Sequence, residues 1–160
     1  MSKRRLKLQV GLGELPPDDK WPSRTATAED RQALAELLIA AYSGTIDDEG
    51  ETPAEALAEI DRTLAGAYGP YLERCSFVVE ANGALAAACL ITLWNAAPLV
   101  AFVMVAPRQQ QQGLGRFVLR QSMRALWAQG YTQLTLYVTD GNAPAQQLYE
   151  RLGFTVVQEP

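Results

Sequence analysis

The sequence predicts a single α/β (α+β) domain in which helices flank one mixed sheet. Three observations lead to this prediction. The chain has 160 residues, the length of one domain. Apolar segments of strand length alternate with segments of helical periodicity, and the helical segments carry capping residues at their ends. We interpret residues 1–160 as β-α-α-β-β-β-α-β-α-β, with 1–22 as an N-terminal strand and connector.

The first half of the chain contains a strand and two helices. Residues 3–10 alternate between apolar and polar side chains, which predicts a half-exposed strand. Thr27 can cap a helix that runs to about Tyr42. An acidic loop at 43–51 leads to the capping box Thr52-Pro53-Ala54-Glu55, which starts a second helix. We expect that helix to end near Gly66 or Gly69.

The middle of the chain is an uncharged stretch, residues 81–107. It is long enough to span a bilayer, which takes about 20 apolar residues. Asn82-Gly83 is a hairpin signal, however, and the Asn-Ala-Ala-Pro run at 95–98 indicates a second turn. We therefore expect a strand at 76–81 followed by two central strands, Ala84–Trp94 and Leu99–Ala106. A membrane-associated protein is kept as a minor alternative.

The last third of the chain predicts two helices and two strands. Gly113 opens a long helix that ends at about Gln129, and residues 132–138 form a strand of high β propensity. Asn142 caps a short helix that stops at Leu152-Gly153. Residues 154–157 form the final strand.

Composition excludes several classes of function. The net charge is −4, from 14 basic and 18 acidic residues, so we expect neither a nucleic-acid partner nor an anionic membrane. The chain has no histidine, which removes histidine catalysis and histidine-ligated zinc, and we expect no metal. Cys75 and Cys89 fit buried free thiols. The absence of a signal-peptide pattern predicts a cytoplasmic protein.

The segment 105–116 predicts an anion site. A buried strand ends at Val105, a polar loop follows, and Gly113 and Gly115 open the long helix. Amides in the first turn of a helix carry about half a positive charge, which suits a pyrophosphate. Arg108 and Arg116 flank this helix start and can add charge-assisted contacts. The segment does not match the dinucleotide fingerprint or the P-loop.

Together with the segment 134–154, this site resembles the GNAT superfamily of acetyl-CoA-dependent N-acetyltransferases. The first segment is similar to that family's pyrophosphate loop, Gln/Arg-x-x-Gly-x-Gly, at Gln110, Gly113 and Gly115. The second is similar to its Asn-x-x-Ala-x-x-Leu-Tyr-x-x-x-Gly-Phe element, at Asn142, Ala145, Leu148, Tyr149, Gly153 and Phe154. The resemblance is dense from about Val103 to Phe154 and only topological before that.

The resemblance implies acetyl-CoA as co-substrate. It implies transfer of the acetyl group to a primary amine, on a small molecule or a peptide, by direct attack in a ternary complex. Tyr149 matches the position of the general acid that protonates the leaving thiolate. The cofactor-binding residues implied by the resemblance are Val103, Met104, Val105, Arg108, Gln110, Gln111, Gln112, Gly113, Leu114, Gly115, Arg116 and Asn142.

Three points stay open at the level of sequence. Residues 99–105 contain no acid where some family members carry a glutamate, so the base is open among water, Asp47, Asp48, Glu49, Glu51 and Glu80. Of these, Asp47, Asp48 and Glu51 are also expected to contact a cationic amine. A non-catalytic acyl-CoA sensor is the alternative function. Finally, the family usually has one more C-terminal strand, and we expect residues 3–10 to pair at the sheet edge instead, within the molecule or across a homodimer.

Overall fold

A computed structural model describes residues 3–157. Within them, seven strands form one mixed sheet in the order β2-β3-β4-β5-β6-β1-β7. The strands are β1 (Arg5–Gly11), β2 (Arg24–Thr25), β3 (Phe77–Ala81), β4 (Ala84–Trp94), β5 (Ala97–Val105), β6 (Gln133–Thr139) and β7 (Thr155–Val156). The helices are α1 (Arg31–Tyr42), α2 (Pro53–Leu64), α3 (Leu114–Ala128) and α4 (Ala143–Arg151). The mixed α/β fold predicted from the sequence is confirmed.

The hydrophobic core lies on both faces of the sheet. On one face α3 packs over the central strands, with α4 beside it. On the other face α1 and α2 cover β4 and β5. Every residue of β4 from Leu85 to Thr92 is buried, which explains why this strand carries no charge. The two predicted free cysteines, Cys75 and Cys89, are buried in this core.

Capping residues start the helices where the sequence predicted. The Thr27 hydroxyl accepts the Glu29 amide, and a 3₁₀ turn at Ala28–Asp30 leads into α1. Thr52 and Glu55 form the reciprocal bonds of a capping box at the start of α2. Each cap satisfies amides that a helix leaves unpaired in its first turn.

One predicted turn was misplaced, and one short strand was not predicted. The turn after β4 is only two residues, Asn95 and Ala96, both with positive φ, so Pro98 lies inside β5. Proline is tolerated there because its partner Leu93 turns its amide away from β5 and donates it to the Pro70 carbonyl. The helix α2 ends at Leu64, two residues before Gly66, where the sequence predicted its end. The short strand β2 was not predicted.

The N-terminal strand lies inside the sheet of the same molecule. Each residue of β1 pairs antiparallel with β6, from Arg5 opposite Thr139 to Gly11 opposite Gln133. The other side of β1 pairs with the two-residue strand β7. The expectation that residues 3–10 pair at this end of the sheet is confirmed, and the pairing is intramolecular.

Candidate active site

A split opens between the parallel strands β5 and β6. Among the described residues, Leu99 opposite Thr135 is the one registered pair between them. Beyond that pair the register of β5 against β4 skips Ala101, which is a β-bulge. From the bulge onward β5 pairs with β4 alone, so the carboxyl ends of β5 and β6 diverge.

Backbone groups of β5 face this split. Ala106 donates its amide to the Ala86 carbonyl of the β4 side over 2.8 Å. Because successive residues of a strand direct their backbone groups to opposite neighbours, Met104 also faces β4, whereas Val103 and Val105 face the split. The Met104 side chain is buried under α1 and α2. Of the three residues predicted on this strand, Val103 and Val105 are therefore placed to offer hydrogen bonds to an extended ligand.

The start of α3 lies directly after β5. Gly113 has φ +89°, and its carbonyl accepts the first bond of the helix from Phe117. The amides of residues 114–116 precede that bond and have no intrahelical acceptor. Leu114 is buried in the core, so its side chain does not line the helix start. This helix start therefore has the unpaired amides that the predicted anion site needs.

Polar side chains surround the start of α3. Gln111 adopts a positive φ of 66°, and the Gln110 amide group donates to the Val105 carbonyl over 3.3 Å. Arg108 and Arg116 are exposed, and neither forms an ion pair with a described residue. Gln112 is exposed in the same loop. The guanidinium groups are thus free to meet an anionic ligand.

Trp21 was missed by the sequence reasoning. It lies in the N-terminal connector, yet its ring meets Phe117 of α3 edge to face, with centroids 5.2 Å apart. A Cβ atom placed on Gly113 would be 4.0 Å from this ring. Trp21 of the connector therefore lines one side of the start of α3. No local pattern links a tryptophan to a glycine 92 residues away.

Tyr149 lies on α4 and is half-buried. Its ring packs against Phe154 with centroids 5.8 Å apart. Within the described part of the chain its hydroxyl forms no hydrogen bond. Burial raises the pKa of Tyr149 above the ordinary tyrosine value, and the nearby Tyr42, Cys89 and Asp47 raise it further. The hydroxyl therefore keeps its proton at neutral pH and has that proton available to donate.

Asn142 joins the cap of α4 to the acidic loop. Its side-chain oxygen accepts the Ala145 amide over 3.3 Å, as a helix cap does. Its side-chain nitrogen donates to Asp47 over 3.1 Å. The other oxygen of Asp47 accepts the Thr139 hydroxyl over 2.6 Å. Both Asp47 oxygens are thus engaged across the site, and Thr139 was not among the predicted residues.

The remaining acidic candidates have different surroundings. Asp48 accepts the Gly44 and Gly50 amides, both over 2.8 Å, and these bonds hold its pKa below the usual range. Glu49 is exposed in the same loop, and Glu51 is half-buried close to Tyr42. Glu80 lies on β3, with β4 between it and β5, and it pairs with Arg24 at 2.6 Å. Glu80 is not brought to the split.

A groove opens on the face of the sheet that carries Thr139. Its volume is about 200 Å³, and its lining includes Lys7, Gln9, Trp94, Leu99, Thr135 and Tyr137. Lys7 pairs with Tyr137 and Arg5 with Thr139, so these residues share one face. The Lys7 ammonium has no carboxylate partner among residues 3–157. The groove therefore ends at Tyr137, two residues along β6 from Thr139, whose hydroxyl donates to Asp47.

No metal centre and no membrane-crossing helix is present among the described residues. They contain no group of three or more acidic or cysteine side chains arranged to hold a metal ion. Every helix in this part of the chain is too short or too polar to cross a bilayer. Most of the uncharged stretch 81–107, which raised the membrane alternative, forms the hairpin of β4 and β5.

Comparison with known proteins gives the family. The profile of the acetyltransferase (GNAT) family matches residues 31–154. The chain belongs to this family. It is 34% identical over 105 residues to the [ribosomal protein bS18]-alanine N-acetyltransferase of Escherichia coli, covering 65% of this chain and 69% of that protein. It is 37% identical over 92 residues to streptothricin acetyltransferase of Streptomyces lavendulae, covering 56% of this chain and about half (49%) of that relative.

Solved structures share the fold. The GCN5-related N-acetyltransferase from Sphaerobacter thermophilus gives a TM-score of 0.74 at 18% identity, over 96% of this chain and 48% of that one. The ribosomal-protein-S18-alanine N-acetyltransferase from Escherichia coli gives 0.68 at 25% identity, over 86% and 79%. An N-acetyltransferase from Thermoplasma acidophilum, in complex with coenzyme A, gives 0.65 at 18% identity, over 87% and 92%.

Proposed function

We propose that the protein is an N-acetyltransferase that moves the acetyl group of acetyl-CoA to a primary amine by direct attack in a ternary complex. The observation that supports this most directly is the split between β5 and β6. The start of α3 follows β5 with unpaired amides, and α4, the helix after β6, carries the Tyr149 hydroxyl, which has no hydrogen bond to a described residue. Membership of the acetyltransferase (GNAT) family supports the same chemistry.

The fit of acetyl-CoA to the site follows from its chemistry. A pyrophosphate carries negative charge, and the amides of residues 114–116 with Arg108 and Arg116 offer positive charge and donors. The pantetheine arm is an extended chain with amides, so it can pair with Val103 and Val105 as a peptide pairs with a sheet edge. The glutamines 110–112 come after the end of β5, and Asn142 comes after the end of β6, so both follow the diverging ends of the two strands.

The transfer step forms an amide and releases the thiol of coenzyme A. The nitrogen of a neutral amine attacks the thioester carbonyl, and the C–N bond forms as the C–S bond breaks. The Tyr149 hydroxyl gives its proton to the departing sulfur, and the proton of the attacking nitrogen leaves to water. Tyr149 then regains a proton from solvent. Because its pKa is raised, Tyr149 is protonated at the start of each cycle.

The acceptor is proposed as the amine of a small molecule or of a peptide. Relatives are named for both kinds of acceptor, streptothricin in one case and the alanine of a ribosomal protein in another. Asp48 and Glu51 stay predictions as contacts for a cationic acceptor. A cytoplasmic location and a homodimer also stay predictions.

The test separates an enzyme from an acyl-CoA sensor of the same fold. The purified protein is incubated with acetyl-CoA and a panel of amines, comprising amino sugars, free amino acids, and peptides with an N-terminal alanine or an internal lysine. Free thiol and acetylated product are measured, and coenzyme A binding is measured by calorimetry. The proposal predicts equal amounts of thiol and acetylated amine. Binding without thiol release for every amine would favour the sensor.

A further inference from the structure

The acidic loop and the start of α4 are joined by a bond network that the sequence does not predict. One Asp47 oxygen accepts the Thr139 hydroxyl over 2.6 Å, and the other accepts the Asn142 side chain over 3.1 Å. Thr139 is the last residue of β6, only 6% exposed, and its carbonyl accepts the Asn142 amide over 3.0 Å. The loop after α1 is therefore fastened to the junction of β6 and α4.

An apolar contact supports the same junction. A Cβ atom placed on Gly141 would be 3.5 Å from the terminal carbon of Ile46, the residue before Asp47. Asp47 itself is held by its own loop, because its amide donates to the Thr45 hydroxyl over 3.2 Å. Asp47 thus bonds both ends of the segment 139–142, and Ile46 lies against Gly141 within it.

We propose that Asp47 is a positioning residue: its carboxylate clamps the loop onto Thr139 and Asn142 and so fixes the start of the helix that carries Tyr149. This inference rests on the proposed function and assigns Asp47 a role other than acceptor binding. Asn142 is the link, because one side chain caps Ala145 through its oxygen and meets Asp47 through its nitrogen. Loss of the carboxylate frees the Asn142 side chain to rotate away from the cap.

The consequence for the reaction is geometric. Tyr149 lies two helical turns after Asn142 on a helix of nine residues, so a shift at the cap moves the whole helix. A displacement of about 1 Å at a reacting group can cost roughly 100-fold in rate.

The kinetic test uses the full chain and the best amine of the panel. The variants are Asp47→Ala, Thr139→Val, the double variant, and Thr139→Ser, which keeps the hydroxyl. We expect Asp47→Ala to lower kcat roughly 10- to 100-fold and to change the acceptor KM less than about threefold. The double variant should lose no more than Asp47→Ala, because both changes break one clamp. Thr139→Ser should restore most of the activity that Thr139→Val loses.

A second arm does not depend on turnover. Hydrogen exchange of the peptide 143–151 should become roughly 3- to 10-fold faster in Asp47→Ala and in Thr139→Val, because the α4 cap is weakened. Asp48→Ala is the matched control, since its two bonds stay within the loop. It should leave exchange of 143–151 unchanged.

Three results would overturn the proposed role of Asp47. A raised acceptor KM with unchanged kcat in Asp47→Ala would make Asp47 an acceptor ligand and overturn the clamp. Additive losses in the double variant, or unchanged exchange of 143–151 in Asp47→Ala, would overturn it too. If the wild-type protein turns over no amine, the proposed function fails, and hydrogen exchange alone decides the clamp.

Discussion

Gly113 offers a test in which the cost of one methyl group can be worked from the structure. Its φ is +89°, a region that costs an L-residue about 1–2 kcal/mol. A Cβ atom there would meet nothing closer than the Trp21 ring at 4.0 Å, so the cost is conformational and not steric. Gly113→Ala should therefore lower the free energy of unfolding by about 1–2 kcal/mol. For a domain of this size that lowers Tm by roughly 2–8 °C.

Gly115→Ala is the matched control. Gly115 lies in the first turn of α3 without a positive φ, and a Cβ atom would meet Leu148 and Val105 at 3.4 and 3.5 Å, which are tolerable contacts. Alanine favours a helix over glycine by up to about 1 kcal/mol. Gly115→Ala should therefore keep or raise Tm. The two variants each replace a glycine by alanine, but only Gly113→Ala forces an alanine into a left-handed backbone conformation. A lower Tm in Gly113→Ala alone is therefore due to the backbone conformation.

The assay is thermal unfolding with and without coenzyme A. At 100 times Kd the ligand stabilises the wild-type protein by about 2.7 kcal/mol. Gly113→Ala disturbs the amides that face the pyrophosphate, so we expect its affinity to fall about tenfold or more, which removes about 1.4 kcal/mol of that stabilisation. If Gly113→Ala unfolds at the wild-type Tm and keeps the full ligand shift, the account of the anion site is wrong.

Three further predictions follow from the titratable groups. The pKa of Tyr149 is raised, so a general acid at this position stays protonated to higher pH than a free tyrosine; kcat at saturating amine should hold to about pH 10, and a fall between pH 8 and 9 would argue against Tyr149. Asp30→Asn should lower the free energy of unfolding by about 1–2 kcal/mol, because Asp30 accepts two bonds of 2.8 and 2.9 Å from the half-exposed Arg24. The pKa of Asp30 is lowered by Arg24, so this stabilisation is present above the unfolded-state pKa of about 3.9 and lost as pH falls through the folded-state pKa. Thermal unfolding from pH 7 to 3 should show the wild-type and Asp30→Asn curves converging at low pH, and a constant gap would contradict the assignment. Burial raises the thiol pKa of Cys75, and that of Cys89 to about 12, so an aromatic disulfide reagent should label both only in denaturant, whereas rapid labelling of the native protein would show that these thiols are accessible.

Local signals predicted most of the fold because they act within a few residues. The capping box at Thr52 and the hairpin at Asn82-Gly83 each place an element boundary by hydrogen bonds of short range. The turn at 95–98 was misjudged because Ala96 adopts a positive φ, which alanine rarely does. Pro98 was also taken as part of the turn, although it lies inside β5.

Long-range pairing was only partly accessible. Alternation predicted that Leu8 and Val10 face the core, but nothing local says that β1 pairs with β6, 128 residues further on. The argument from the uncovered sheet edge gave the right neighbourhood, and the register came from the structure.

The candidate site divides in the same way. The sequence alone was enough to predict Gly113, Gly115 and Tyr149, because each lies in a motif with fixed spacing. Thr139, Trp21 and the bonds of Asp47 join segments that are about 90 residues apart, and a hydrogen bond of this kind leaves no periodic trace. Asp47 was predicted as an acidic residue near the acceptor and Asn142 as a cofactor-binding residue, but Thr139 and the bonds that join the three were not predicted.

The most direct measurement compares Tyr149→Phe with the wild-type protein in turnover and in coenzyme A binding. The change removes one hydroxyl that has no hydrogen bond to a described residue, and it leaves the ring against Phe154. We predict a kcat lower by roughly 100-fold or more with an unchanged calorimetric Kd for coenzyme A. An unchanged kcat would remove Tyr149 from the reaction, and an absence of heat with coenzyme A in both proteins would contradict acetyl-CoA binding at the split.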